Sequence, residues 1–180
     1  MRPAVFLDRD GVINQPLVVE GKPYAPTTVD EFLIYPEAHE ACALLKRQGF
    51  ALVVATNQPE VGRGTIPADA IEEMHRLMMQ SLPIDRVEVC YDAGDRPSSN
   101  RKPAPGMLLH AAEVLEIDLA ASYMVGDRWK DIDCGHAAGC RTIFVDRGYQ
   151  ESLRMTPDHT VSGFLEAARL IVQLNSPSPV

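Results

Sequence analysis

Apolar residues along this chain fall into two kinds of pattern. Short runs in which nearly every position is apolar, such as Ala4-Val5-Phe6-Leu7 and Ala51-Leu52-Val53-Val54-Ala55, alternate with longer stretches in which apolar residues recur every three or four positions. The first kind suits strands buried on both faces, the second amphipathic helices packed against them. Strands are therefore predicted at Pro3–Leu7, Ala51–Ala55, Val87–Tyr91, Tyr123–Val125 and Thr142–Val145, with another around Thr160. Helices are predicted over Pro36–Gln48, Ala68–Ser81, Gly106–Leu115, Lys130–Ala138 and Ser162–Leu174; the first carries Ala38, Ala41, Leu44 and Leu45 along one side and stops at Gly49. Such alternation predicts an α/β fold, a Rossmann-like, doubly wound, mainly parallel sheet with helices on both faces. Two stretches rich in proline, glycine and polar residues, Gln15–Asp30 and Asp92–Pro105, follow neither pattern and are expected to be functional or mobile loops.

A length of 180 residues with 46% hydrophobic content suffices for one core, so residues 1–174 are expected to form one domain and the Ser/Pro-containing end, 175–180, a flexible tail. The formal net charge of -8 opposes binding to nucleic acid or anionic membrane, and any phosphate must be held by a local arrangement of donors. No run approaches the ~20 apolar residues of a membrane span, and Arg9 and Asp10 come too early for a secretory leader. A soluble, cytoplasmic monomer is expected. Cys42, Cys90, Cys134 and Cys140 are too sparse for a disulfide framework and suit reduced core thiols, and this includes the Cys134, His136, Cys140 group.

In open α/β sheets, ligands collect beyond the carboxyl ends of the strands. The residues that follow these predicted strands are chemically distinctive. Asp8 and Asp10 come after the first and Thr56-Asn57-Gln58 after the second; Arg101-Lys102 precede the fourth, and Gly126-Asp127-Arg128 follow it. Residues two apart in an extended segment point the same way, so Asp8 and Asp10 share a side. With Asp127 beside them they concentrate negative charge, which a hard divalent cation such as Mg2+ resolves. An isolated Asp-x-Asp-Gly is as readily a turn, Thr56 or Asp127 a helix cap, and Lys102 a solvated surface lysine. All of them falling at one end of one sheet favours a site.

In this order Asp8-Arg9-Asp10-Gly11, Thr56, Lys102 and Gly126-Asp127 with Asp131 resemble the four motifs of the haloacid dehalogenase-like phosphatases, over nearly the whole chain. FLDRDGVIN, ALVVATNQPEVGRG, NRKPAPGMLLHAA and DLAASYMVGDR are similar to the heptose bisphosphate phosphatase branch, with the histidinol-phosphatase group next. The resemblance implies a Mg2+-dependent phosphomonoesterase acting on a small phosphorylated sugar. Asp8 would be the nucleophile and Asp10 the acid and base, with its carboxyl pushed upward or its protonated minority used. Asp8, the Asp10 carbonyl and Asp127 would hold Mg2+, with Asp131 supporting metal-bound water; Thr56 and Lys102 would hold phosphoryl oxygens. Asn57, Gln58, Arg101 and Arg128 are candidates for substrate contact, and Lys22 and Tyr24 for the leaving group. The sugar phosphatases of this kind usually carry a structural zinc before the RKP triplet. Here Cys90 keeps one ligand, but Asp92, Ser98 and Asn100 replace the others, and one thiol cannot hold the ion, so no zinc is expected. No inserted cap domain fits between the motifs. A phospho-accepting receiver domain is the alternative of another class, although its acids lie on different strands.

Overall fold

The computed structural model describes residues 1–176. Its main sheet contains β1 (Ala4–Leu7), β4 (Ala51–Asn57), β5 (Arg86–Cys90), β6 (Tyr123–Gly126), β7 (Arg141–Val145) and β8 (His159–Val161), in the spatial order β5-β4-β1-β6-β7-β8. Every pairing in it is parallel. The helices are α1 (Glu37–Arg47), the short α2 (Pro59–Gly62), α3 (Ala68–Ser81), α4 (Gly106–Leu115), α5 (Trp129–Ala138) and α6 (Phe164–Asn175). This is the expected Rossmann-like α/β architecture. The last helix takes in Asn175, which the sequence assigns to the tail, because its amide donates to the Tyr123 hydroxyl at 2.9 Å; residues 177–180 lie outside the described residues.

Strand alternation divides the core into two layers. Val5 and Leu7 of β1, with Leu52 and Val54 of β4, face α1, α3 and α6 through Leu45, Ile71, Met74, Phe164 and Ile171. Ala4 and Phe6, with Ala51, Val53 and Ala55, face α4 and α5 through Met107, Leu108, Ala111 and Cys134. Burying a side chain such as Phe6 or Leu52 stabilises the fold by about 1.5–3 kcal/mol. All four cysteines are buried, and Cys134 and Cys140 pack in the second layer as core thiols, where burial pushes both up to about 12. His136 instead turns to the Thr156 carbonyl at 3.0 Å. No described helix is long and apolar enough to cross a membrane.

The stretch Gln15–Asp30 is less irregular than its composition implies. It folds into an antiparallel ribbon, β2 (Leu17–Val19) paired with β3 (Lys22–Tyr24), followed by a short 3-10 turn at Val29–Glu31. Glu20 and Gly21 both have positive φ, 49° and 74°, the tight turn whose twist suits a hairpin. Both strands are only three residues long and largely exposed, so burial leaves no apolar alternation by which they could be recognised.

Candidate active site

Strand order reverses about β1, whose neighbours are β4 on one side and β6 on the other. The opening expected there is present: a cleft of about 440 Å³ lined by Asp8, Asp10, Asn57, Arg101, Lys102, Asp127, Arg128 and Asp131, with Lys22 and Tyr24 of the ribbon on its wall. Beyond Leu7 the backbone stays in register, because the Asp8 amide donates to the Val125 carbonyl at 3.0 Å. That bond holds Asp8 against the end of β6, where Asp127 follows. Carboxylate oxygens of Asp8, Asp127 and Asp131 all lie within 4.8 Å of one another, and all three residues are buried.

Three acids so close repel one another, and one cation partly compensates them. The Lys102 ammonium lies 2.9 Å from Asp8 Oδ1 and 2.6 Å from Asp131 Oδ1. Burial alone would lower Lys102, but Asp131 and Asp8 outweigh it and hold the ammonium above the usual lysine range. Asp131 spends its other oxygen on the Arg128 amide at 3.0 Å. It is thus a member of the acid cluster and the support of Lys102.

Asp8 and Asp127 remain undercompensated. Burial, then the Asp131 charge, pushes Asp8 up to about 6 despite Lys102. Burial, then Asp8 and Asp131, push Asp127 well above the ordinary carboxylate range. Both Asp127 carboxylate oxygens are buried without a hydrogen-bond partner; the Tyr149 hydroxyl, which presses on the same carboxylate, falls outside hydrogen-bond geometry. Two orphaned oxygens facing a second raised carboxylate are what a hard cation with oxygen ligands satisfies, so the residues present fit Mg2+. Among the described residues, this is the only group of three or more acidic, histidine or cysteine side chains placed to hold a metal ion.

Asp10 belongs to a different environment. Its carboxylate accepts from Arg9 Nε at 3.2 Å and Nη2 at 3.0 and 3.1 Å, from Asn14 Nδ2 at 2.9 Å and from Gln58 Nε2 at 2.8 Å. Burial raises it, but the Arg9 charge and these hydrogen bonds prevail and hold Asp10 below its ordinary value. The expected upward push is therefore absent at rest. Its cause, Arg9, is the middle residue of the motif, and nothing in its spacing reveals that its side chain turns inward to complete burial.

The donors sort differently from expectation. Thr56, at the end of β4, is 1% exposed, and its Oγ1 accepts from Gln58 at 2.9 Å. Gln58 is fully buried, bonds Thr56 and Asp10, and does not line the cleft. Asn57 grips the Lys102 backbone at both ends, donating to its carbonyl at 3.0 Å and accepting from its amide at 3.1 Å. Arg128 lines the cleft, but Glu151 clasps its guanidinium at 3.0 and 2.6 Å. Arg101 also reaches the cleft, held by the Asp92 carbonyl at 2.5 Å. Glu151, Tyr149 and Gln150 of the loop after β7 line the same cleft, and no sequence signal marks them.

A family model described as HAD-hydrolase-like matches residues 99–167. A D-glycero-D-manno-heptose-1,7-bisphosphate 7-phosphatase of Chlorobaculum tepidum is 32% identical, the match covering 91% of this chain and 90% of the relative. The chain belongs to the haloacid dehalogenase-like phosphatases. The heptose bisphosphate phosphatase of Escherichia coli K12 is 39% identical over 81% of this chain and 79% of its own. In structure, this phosphatase superposes on the D,D-heptose 1,7-bisphosphate phosphatase of B. bronchiseptica, solved with magnesium and phosphate, with a TM-score of 0.81 at 28% identity, covering 97% and 99% of the two chains. Membership removes the receiver-domain alternative. Consistent with that, Asp8 and Asp10 extend from the same strand.

Proposed function

We propose that this phosphatase removes one phosphate from a phosphorylated sugar, D-glycero-D-manno-heptose 1,7-bisphosphate, through a phosphorylated Asp8. The observation that carries the chemistry is the buried trio Asp8, Asp127 and Asp131 around a single ammonium, with both Asp127 oxygens unsatisfied. The sugar is supported by the 7-phosphatase relatives, 32% and 39% identical over most of the chain. Five cations besides Lys102 line the cleft, Lys22, Arg63, Arg101, Arg128 and Lys130, and suit a substrate with a second phosphate.

In this mechanism Asp8 attacks phosphorus in line, and the sugar oxygen leaves. Asp8, the Asp10 carbonyl and Asp127 would hold Mg2+, which when bound would supply charge neutralisation between nucleophile and phosphate. Lys102, anchored by Asp131 and by the Asn57 grip on its backbone, faces the phosphoryl oxygens; Thr56 offers its hydroxyl proton from the neighbouring strand. Asp10 rests as a carboxylate, ready to take a proton from the water that hydrolyses the acyl phosphate. For the first step it uses its protonated minority, which enlarges when an anionic phosphate arrives beside it. The same reading makes residues 1–174 one catalytic domain of a cytoplasmic monomer, and four buried thiols suit a reducing compartment.

Phosphate release is measured from a panel containing heptose bisphosphate, histidinol phosphate and hexose phosphates, with Mg2+ present. The heptose bisphosphate is expected to give the highest kcat/KM, Asp8→Asn to abolish release, and rapid acid quench with mass spectrometry to place phosphate on Asp8. Turnover surviving in Asp8→Asn would sink the mechanism; preference for another panel member would sink the substrate alone.

A further inference from the structure

Arg9 leads from the site into the core. Its guanidinium is fully buried, with the Phe32 ring 5.4 Å from it and the Met74 sulfur 3.9 Å from Nη1. Nε and Nη2 fork onto Asp10, and Nη1 lies 3.2 Å from Nε2 of His75, a buried residue of α3. Arginine only donates, so this Nε2 is the acceptor and the imidazole proton sits on Nδ1. Burial and the Arg9 charge press His75 down to about 4, consistent with that neutral tautomer. Three residues thus form one buried line, His75 to Arg9 to Asp10.

We propose that His75 is a positioning residue for the phosphatase reaction: by accepting from Arg9 Nη1 it fixes the guanidinium fork that aims the Asp10 carboxylate into the cleft. The proposal rests on the reading of Asp10 as acid and base. Without an acceptor, Nη1 is a buried donor left unsatisfied, a state costly enough to drive the guanidinium toward other partners. Any such movement carries the three Arg9 contacts to Asp10 with it. Asp10 exchanges protons with two successive partners, the leaving oxygen and the attacking water, and displacement of about 1 Å can cost as much as 100-fold in rate.

Two variants separate positioning from simple packing. His75→Leu removes the acceptor, whereas His75→Gln keeps a side-chain carbonyl that can take its place. With the holoenzyme in saturating Mg2+, His75→Leu is expected to lower kcat about 10-fold or more with KM little changed. His75→Gln recovers most of the loss, and phosphorylated Asp8 accumulates in the Leu variant because water activation is impaired. In an Asp10→Asn background His75→Leu then has no further effect on kcat. Should the Leu variant not fold, His75→Met, which fills the space with only a weak acceptor, is read in the same way. Wild-type kcat in His75→Leu beside an impaired Asp10→Asn overturns the proposal alone, as do equal losses in the Leu and Gln variants or additive losses in the double variant. Wild-type turnover in Asp10→Asn overturns the Asp10 reading and this proposal with it.

Discussion

Lys102 and Asp131 form a buried ion pair at 2.6 Å, and the same ammonium reaches Asp8 at 2.9 Å. One positive charge thus serves the proposed nucleophile and the helix-borne acid together, before any phosphate arrives. Lys102→Met removes it and leaves the acid trio without its only ammonium. Loss of one preorganised donor of this type costs about 100- to 1,000-fold in kcat. Activity should fall by that order with Mg2+ saturating, and metal-free Lys102→Met should unfold at a lower temperature than wild type at neutral pH. If kcat stays within a few-fold, Lys102 has been given the wrong task.

The acid cluster also predicts how pH and Mg2+ act on stability. Asp8 rises from an ordinary 3.8 to about 6 in the metal-free fold, chiefly through burial. A raised folded value means the fold favours the protonated acid. The benefit is complete below pH 4 and is lost as pH climbs through 6; the gap corresponds to roughly 3 kcal/mol. Asp127, raised in the same direction, adds to the trend. Thermal unfolding without metal should therefore show falling stability between pH 4 and pH 6, a decline that Asp8→Asn reduces. Because Mg2+ needs ionised carboxylates, its stabilising effect should be larger at pH 7 than at pH 5. A metal effect of equal size at both pH values would count against this cluster as the binding site.

Gly11 has φ +91°, and a Cβ placed on it would lie 1.8 Å from Asp127 Oδ2. The glycine thus makes the turn after Asp10 and also leaves the space in which the Asp127 carboxylate rests. Gly11→Ala meets both obstacles at once. It should weaken Mg2+ binding, read by calorimetry, by at least about 10-fold, in keeping with the effect of disturbing the residues that orient metal ligands. The turn alone, without the steric conflict, would leave Mg2+ affinity near wild type while lowering stability.

How far sequence reached can be judged from these same residues. Asp8, Thr56 and Asp127 are locatable because largely apolar strands end at or just before them, and Lys102 because it precedes the helix that leads into β6; the carboxyl end of a parallel sheet is where such segments meet. Gly11 was readable as a turn, yet its contact with Asp127 depends on the pairing of β1 with β6, residues over a hundred positions apart. The inward turn of Arg9 and its partner His75 left no trace, since a buried, paired arginine and a solvated one are the same letter. Gln58, Asn57 and Arg128 were recognised as site residues by position, but which neighbour each one serves was decided by side-chain geometry. The ribbon β2–β3 escaped because its two short strands bury little.

The loop from Asp92 to Asn100 offers the remaining prediction. At the place where the zinc-bearing sugar phosphatases it resembles need four metal ligands, a hydrogen-bonded knot stands instead. Asp92 Oδ2 accepts from the Ser98 hydroxyl and from the Cys90 thiol, the latter at 3.4 Å. Ser98 Oγ in turn accepts from the Asn100 and Arg101 amides, both at 3.2 Å, and the Asp92 carbonyl takes the Arg101 guanidinium. These bonds hold Asp92 below the ordinary aspartate range. Three of these five bonds are solvent-exposed and two are part-buried, so each adds little to stability, but together they set the direction of Arg101 at the cleft. Elemental analysis of protein purified without chelator should find no stoichiometric zinc, and EDTA followed by Mg2+ should restore full activity. Asp92→Ala should raise KM for the sugar phosphate several-fold while kcat and melting temperature change little, because Arg101 lines the cleft among the cations proposed to meet the substrate and is not one of the groups proposed at phosphorus. One zinc per chain, or a kcat defect with KM unchanged, would mean that the knot does something other than aim Arg101.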